Sequence, residues 1–162
     1  MKPRLLSTED RDEIRRRFYY KEGKIFHKVS GNKRTVGTEA GVFDQKGYGR
    51  VSVNGRKILV HRVVYLLHYD TCPEYLDHKD QDKRNNHIEN LRPCTHSENK
   101  RNIQYKGCVG VRLTKVGNWE SYTSVNGKYK YLGTFPTKES AILFREIYLR
   151  HLYGDFHAGT SS

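Results

Sequence analysis

The chain has 162 residues, of which 35% are hydrophobic and 30% charged, and its net charge is +12. That apolar fraction is low for one large core and fits small modules with modest cores, while the charge favours a polyanion as partner. Residues 1–104 hold 22 Lys and Arg against 14 Asp and Glu, and residues 105–162 hold 8 against 4, so neither half is a lone basic tail.

Ser7 or Thr8 offers a helix cap, followed by acids at Glu9, Asp10, Asp12 and Glu13 and bases at Arg15 to Arg17. Acids first and bases last suit the helix dipole, and the pattern predicts a helix over residues 8–19. The stretches GKIFHKV and GYGRVSVNGRKILVH read as strands, with Asn54-Gly55 as a two-residue hairpin turn. The run HRVVYLLHY at 61–69 is apolar at Val63, Val64, Leu66 and Leu67, a short buried helix that Pro73 keeps from extending.

Residues 72–102 change character: a short strand, a long polar loop, a second short strand from Asn90 to Pro93, and a helix opened by Thr95. Thr95-His96-Ser97-Glu98 fits the T-x-x-E capping box, which puts Asn99 in the early turns of that helix. Three strands follow in GCVGVRLTK, NWESYTSV and KYKYLGTF, joined near Gly117-Asn118 and at Asn126-Gly127. Thr137 then caps a helix to about His151, with Ala141, Phe144, Ile147, Tyr148 and Leu152 as its apolar stripe and Gly154 as its end.

Cys72, Cys94 and Cys108 are odd in number and form no CxxC pair. They support neither a disulfide framework nor a structural zinc site, and read as small buried residues in a reducing compartment. The N-terminus has no apolar leader core, no stretch approaches bilayer length, and no Lys-rich amphipathic helix stands out. The expectation is an intracellular protein with no membrane partner.

Chemistry concentrates in residues 77–99. Asn90 lies twelve residues after His78, and Asn99 nine after that. A strand, loop, strand and helix of this length can fold back to bring Asp77 and Asn99 together. Hydrolysis of a phosphodiester needs an activated water and neutralisation of charge on the phosphate and the leaving oxygen. Carboxylate and carboxamide oxygens are hard ligands that suit Mg²⁺, and a neutral imidazole can deprotonate water near neutral pH. Asn85, Asn86 and His87 read as turn chemistry, His61 and His68 as bracing or surface residues, and His96 as an exposed helix-start residue.

The segment DHKDQDKRNNHIENLRPCTHSEN resembles the HNH nuclease family, with His78, Asn90 and Asn99 at its three naming positions. VHRVVYLLH and GYGRVSVNG, which precede it, look like phage-encoded members. The resemblance implies an α+β chain whose nuclease domain, residues 1–104, has a ββα-metal (His-Me finger) core at about 72–102. It makes His78 the general base, Asp77 and Asn99 the ligands of Mg²⁺ or Mn²⁺, and Asn90 a brace for the loop. The third position is Asn where the family name expects His, a change shared by many phage homing members that bears on metal preference.

Residues 105–162 form the second expected domain, and within it 105–157 resembles the APETALA2-type DNA-binding domain through VGVR (109–112), Trp119, YLGTF (131–135) and YGDF (153–156). That resemblance implies a three-stranded antiparallel sheet packed on one helix, reading the major groove of double-stranded DNA with one sheet face. By alternation Arg112 with Thr114, Tyr122 with Ser124, and Tyr129 with Tyr131 face DNA, while Lys115, Lys128 and Lys130 lie near phosphates. Trp119 reads as core. Tyr122 and Ser124 stand where the plant pattern has Glu and Arg, which puts the plant recognition sequence in doubt. The combined expectation is a site-specific phage homing or nicking endonuclease, monomer or homodimer. The alternatives are a DNA-binding regulator with an inert nuclease site, and an RNA-binding or structural protein.

Overall fold

The structure, a computed structural model, describes residues 5–31, 35–102, 105–106, 110–157 and 160–161. Cys108 and Val109 lie outside these residues. The chain divides into two compact units, residues 1–99 and 100–162, a line ahead of the boundary expected at residue 104.

In the first unit Ser7 caps α1 (Thr8–Arg17): its hydroxyl accepts the Asp10 N–H at 3.2 Å, and the Asp10 carboxylate accepts the Ser7 N–H at 3.4 Å. Asp10 also takes hydrogen bonds from Asn54 and Arg56, at 3.2 and 2.9 Å, so the cap ties the helix to a neighbouring hairpin. The helix stops two residues short of the expected Tyr19, because Phe18 is already extended at φ −129°. Strand pairing decides that boundary. Phe18–Lys21 (β1) pairs antiparallel with Lys24–His27 (β2) around Glu22-Gly23, both at positive φ. A Cβ on Gly23 would lie 2.7 Å from the His87 ring, so this turn requires glycine for its backbone and for the close approach.

Glu39–Ala40 (β3) extends the first sheet beyond β2. A second sheet has the order β4 (Val42–Phe43), β5 (Gly49–Val53), β6 (Arg56–Leu59). Asn54 and Gly55 turn β5 into β6 at φ 48° and 74°, the left-handed pair that the NG signal implies. α2 (Val60–Tyr69) follows directly and is buried continuously from Val60 to Leu66. It ends before Pro73 can act, on Asp70 at φ 58°, whose carboxylate accepts both Nε and Nη2 of Arg15 from α1 at 2.9 and 2.6 Å. Ile14, Phe18, Ile25, Val53, Val63 and Val64 have no exposed surface. Side chains of this size contribute about 1.5–3 kcal/mol each on full burial. This core around α2 is followed by β7 (Tyr75–His78), a 3₁₀ turn at Ile88–Asn90, β8 (Leu91–Cys94) and α3 (His96–Arg101), a helix that begins in the first unit and is crossed by the line between the two.

The second unit holds β9 (Tyr105–Lys106), β10 (Val111–Leu113), β11 (Trp119–Val125), β12 (Lys128–Phe135), α4 (Lys138–Tyr153) and β13 (Thr160–Ser161). β10, β11 and β12 form an antiparallel sheet in that order, and β9 pairs parallel with β13. Thr137 caps α4 by accepting the Ser140 N–H at 3.1 Å, and Gly154 at φ 56° ends it. The expected apolar stripe needs correction. Ala141 is buried, but Phe144, Ile147 and Leu152 are 43, 59 and 41% exposed, and the second fully inward residue is Leu149. The inward face carries Arg145, whose Nε donates to the Tyr122 carbonyl at 3.3 Å, and a polar residue there hides the true face from a hydrophobic-periodicity reading. Phe144 sits at the border, its ring 5.1 Å from that of Phe135. Among the described residues no helix is long and apolar enough to cross a membrane.

Candidate active site

β7 and β8 pair antiparallel with Asp77 opposite Arg92 and His78 opposite Leu91. Successive residues on a strand point to opposite faces, so Asp77 and His78 leave β7 in different directions. Both are buried, at 7 and 5% exposure. Arg92 places Nε at 3.1 Å and Nη2 at 3.0 Å from Asp77 Oδ2, a nearly enclosed ion pair that no sequence signal marked, because it depends on strand register.

Three separate elements converge on His78. Its Nε2 lies 3.2 Å from Oδ1 of Asn86 in the β7–β8 loop. His61, from the first turn of α2, meets it edge-on with ring centres 5.0 Å apart at 84°. Tyr48, just ahead of β5, lies 6.4 Å from His78 and 6.0 Å from His61. Burial pushes the His78 imidazole below its ordinary value, against the opposing pull of the Asn86 hydrogen bond and of Asp77, Asp80 and Asp82. For His61, burial together with His78 and Arg62 pushes the pKa down to about 3, so it stays neutral near neutral pH.

The loop is held from within. Asn90 donates through Nδ2 to Asp80 Oδ1 at 2.9 Å and to the Asn85 carbonyl at 2.8 Å, and its Oδ1 accepts the Asp80 N–H at 3.1 Å. Asn85 does what turn residues do, donating to Asp80 at 2.6 Å. Asn86 does more than the turn reading allowed, since it is 3% exposed and turned onto His78. His61 does brace the fold, but the surface it braces is the ring of His78. His68 is exposed and stacks edge-on with Tyr20, and His96 is exposed with its ring 5.2 Å from Tyr75.

Thr95 and Glu98 form the expected capping box, at 2.7 Å from the Thr95 N–H to the Glu98 carboxylate and 3.2 Å from the Glu98 N–H to the Thr95 hydroxyl. Asn99 is half-buried in the first turn of α3, its N–H on the Thr95 carbonyl. Among the described residues no group of three or more His, Cys, Asp or Glu forms a cation cage. Cys72 and Cys94 are free thiols, and burial, with Asp77 and Glu98 adding, pushes Cys94 up to about 11. Asp77, whose Oδ2 is taken by Arg92, and Asn99 offer a carboxylate and a carboxamide oxygen, donor types that suit a hard divalent cation.

Residues 59–101 match the family model described as HNH endonuclease. This segment of the chain is similar to HNH endonucleases. The matched stretch runs from the start of α2 to the end of α3 and contains His61, Asp77, His78, Asn86, Asn90 and Asn99. A protein of Acanthamoeba polyphaga mimivirus named an uncharacterized HNH endonuclease is 31% identical over 112 residues, 67% of this chain and 60% of that relative. The chain thus spans less than two thirds of the length of that relative. No solved structure matches the chain.

Beyond the matched segment, the sheet of the second unit presents the other candidate surface. Tyr122 pairs with Tyr131, Ser124 with Tyr129 and Arg112 with Glu120, so these six share a face, opposite the buried Val111, Ser121 and Thr123. The Tyr122 and Tyr129 rings stack at 5.7 Å. An irregularity after Ser121 brings Thr134 onto the same face, where its hydroxyl meets that of Tyr131. Arg112 is held by Glu120 at 2.6 Å, a partner the expectation for Arg112 left out. Lys130 pairs with Thr123 and therefore lies on the α4 side, its ammonium 5.4 Å from the Tyr148 ring centre. Thr114 falls in the loop after β10, accepting the Asn118 N–H at 3.1 Å, while Lys115 and Lys128 are exposed. Trp119 is half-buried, with Lys138 over its ring.

Proposed function

We propose that this protein is a metal-dependent DNA endonuclease that hydrolyses phosphodiester bonds at a chosen site, as a phage-type homing or nicking enzyme. The observation that carries the reading is His78, a buried imidazole kept neutral by its surroundings, beside Asp77 and inside the HNH-matching segment. β7, β8 and α3 are read as a ββα-metal core. His78 takes a proton from the attacking water as its oxygen bonds to phosphorus. The bond from phosphorus to the leaving sugar oxygen breaks, and that oxygen takes a proton from solvent. Asn90 holds the loop that carries the approach to His78. Asp77 and Asn99 would hold Mg²⁺ or Mn²⁺, which when bound neutralises charge on the phosphate and the leaving oxygen.

The second unit is read as an APETALA2-type module that docks on duplex DNA. Its support is a three-stranded antiparallel sheet backed by one helix, with Arg112, Tyr122, Ser124, Tyr129 and Tyr131 on the face away from that helix. Lys115 and Lys128, exposed near this sheet, suit phosphate contacts, whereas Lys130 is turned to the helix.

The test is cleavage of supercoiled plasmid with Mg²⁺, Mn²⁺ or EDTA, comparing wild type with Asp77→Ala, His78→Ala and Asn99→Ala. Cation-dependent nicking by the wild type, lost in the variants, is the expected result. Duplex binding without cleavage under any cation would replace this reading with that of a DNA-binding regulator.

A further inference from the structure

We infer that Asn86 is the positioning residue for His78: it fixes the imidazole tautomer in which Nε2 carries the hydrogen and Nδ1 the lone pair that accepts the proton of the attacking water. The inference rests on the general-base reading of His78 and deepens it. No composition or spacing signal separates Asn86 from its neighbours Asn85 and His87.

The argument begins with the two ends of one amide. Asn86 Nδ2 donates to the backbone carbonyl of Arg84 at 3.2 Å, and Oδ1 lies 3.2 Å from His78 Nε2. A carbonyl oxygen only accepts, so the reversed amide would set Oδ1 against the Arg84 oxygen, acceptor against acceptor. With the amide so oriented, a bond to the neutral imidazole exists only if Nε2 is the protonated nitrogen. The Asn86 side chain has little freedom to turn away, since the residue is 3% exposed and its own N–H is also on the Arg84 carbonyl, at 3.1 Å. The ring in turn is wedged by His61 at 5.0 Å, edge to face. The loop that carries Asn86 is pinned by Asp80, Asn85 and Asn90 on one side of it. An asparagine needed only to make a turn would face solvent or its own backbone. This one spends its oxygen on a ring nitrogen eight residues earlier in the chain.

Two measurements on the full-length protein test this. The first is the long-range ¹H–¹⁵N spectrum of the His78 ring without DNA, which separates the Nε2–H from the Nδ1–H tautomer. The wild type is expected to show Nε2–H, and Asn86→Ala a mixture of the two. The second is single-turnover cleavage. Asn86→Ala is expected to lower the cleavage rate constant at least about tenfold, with duplex affinity unchanged, because only the proton-transfer geometry is lost. In a His78→Ala background, Asn86→Ala should cost nothing further. A wild-type ring protonated at Nδ1 overturns the inference without any variant. So does a slow Asn86→Ala enzyme whose ring spectrum is unchanged, the behaviour of a purely structural brace. The ring spectrum is read apart from activity: a wild-type rate in His78→Ala rejects the general-base reading, and the spectrum alone rejects the role of Asn86.

Discussion

Acid should loosen the first unit well above the pH at which carboxylates protonate, and His61 is the reason. In the folded chain its pKa is pushed down to about 3, whereas an imidazole in the unfolded chain has about 6.5. Between those values the unfolded state binds a proton that the folded state refuses, so stability is complete above pH 6.5 and declines as the pH falls. For one such group the loss from pH 7 to pH 5 is about 2 kcal/mol, from 1.36 kcal/mol per pKa unit. His78, depressed in the same direction by burial, adds to it. Replacing the imidazole by a ring that cannot titrate, His61→Phe, should remove about 2 kcal/mol of that pH dependence, whatever it does to stability at pH 7. Urea unfolding followed at the amides of Val63 and Val64 in α2 measures this in the first unit. The fluorescence of Trp119, the only tryptophan, reports the second unit separately and should lack the effect. Equal stability of the wild-type first unit at pH 7 and pH 5 would refute the argument, as would an undiminished slope in His61→Phe.

Three further outcomes follow from the geometry. His78→Ala should lower single-turnover cleavage by about 10²–10⁴-fold while leaving duplex affinity nearly intact in gel shifts, since a general base acts on water and not on binding. Glu120→Gln removes the carboxylate that holds Arg112 at 2.6 Å, and it should tighten duplex binding and raise the salt slope by about one unit in titrations at several ionic strengths. Gly110→Ala should destabilise the second unit by about 1–3 kcal/mol in Trp119-monitored urea melts, because φ at this position is +86° and a Cβ would lie 2.5 Å from the Tyr122 carbonyl oxygen.

The sequence by itself determined the elements whose signals are local. Ser7, Thr95 and Thr137 accept a backbone N–H one helical turn ahead, Asn54-Gly55 and Asn126-Gly127 take left-handed backbone, and Gly154 ends α4. Each depends on residues within four positions of one another, which is why capping and turn chemistry can be read without a fold. Asp77, His78, Asn90 and Asn99 stand out as candidates on similarly local grounds, as residue types at set spacings in one short segment. Tertiary structure decided everything that depends on what lies opposite. Phe18 and Tyr19 look like the end of a helix until β2 pairs with them, and Arg145 lies inward on α4 because a carbonyl of β11 is there to receive it. Arg92 meets Asp77 only through the register of β7 and β8, and Glu120 meets Arg112 only through that of β10 and β11. The same holds for Asn86 and His61, ordinary residues along the chain that acquire a role only because folding presses both onto the ring of His78. Burial lowers the pKa values of His61 and His78, and burial belongs to the packed molecule, since no spacing along a chain states how much water a side chain will lose.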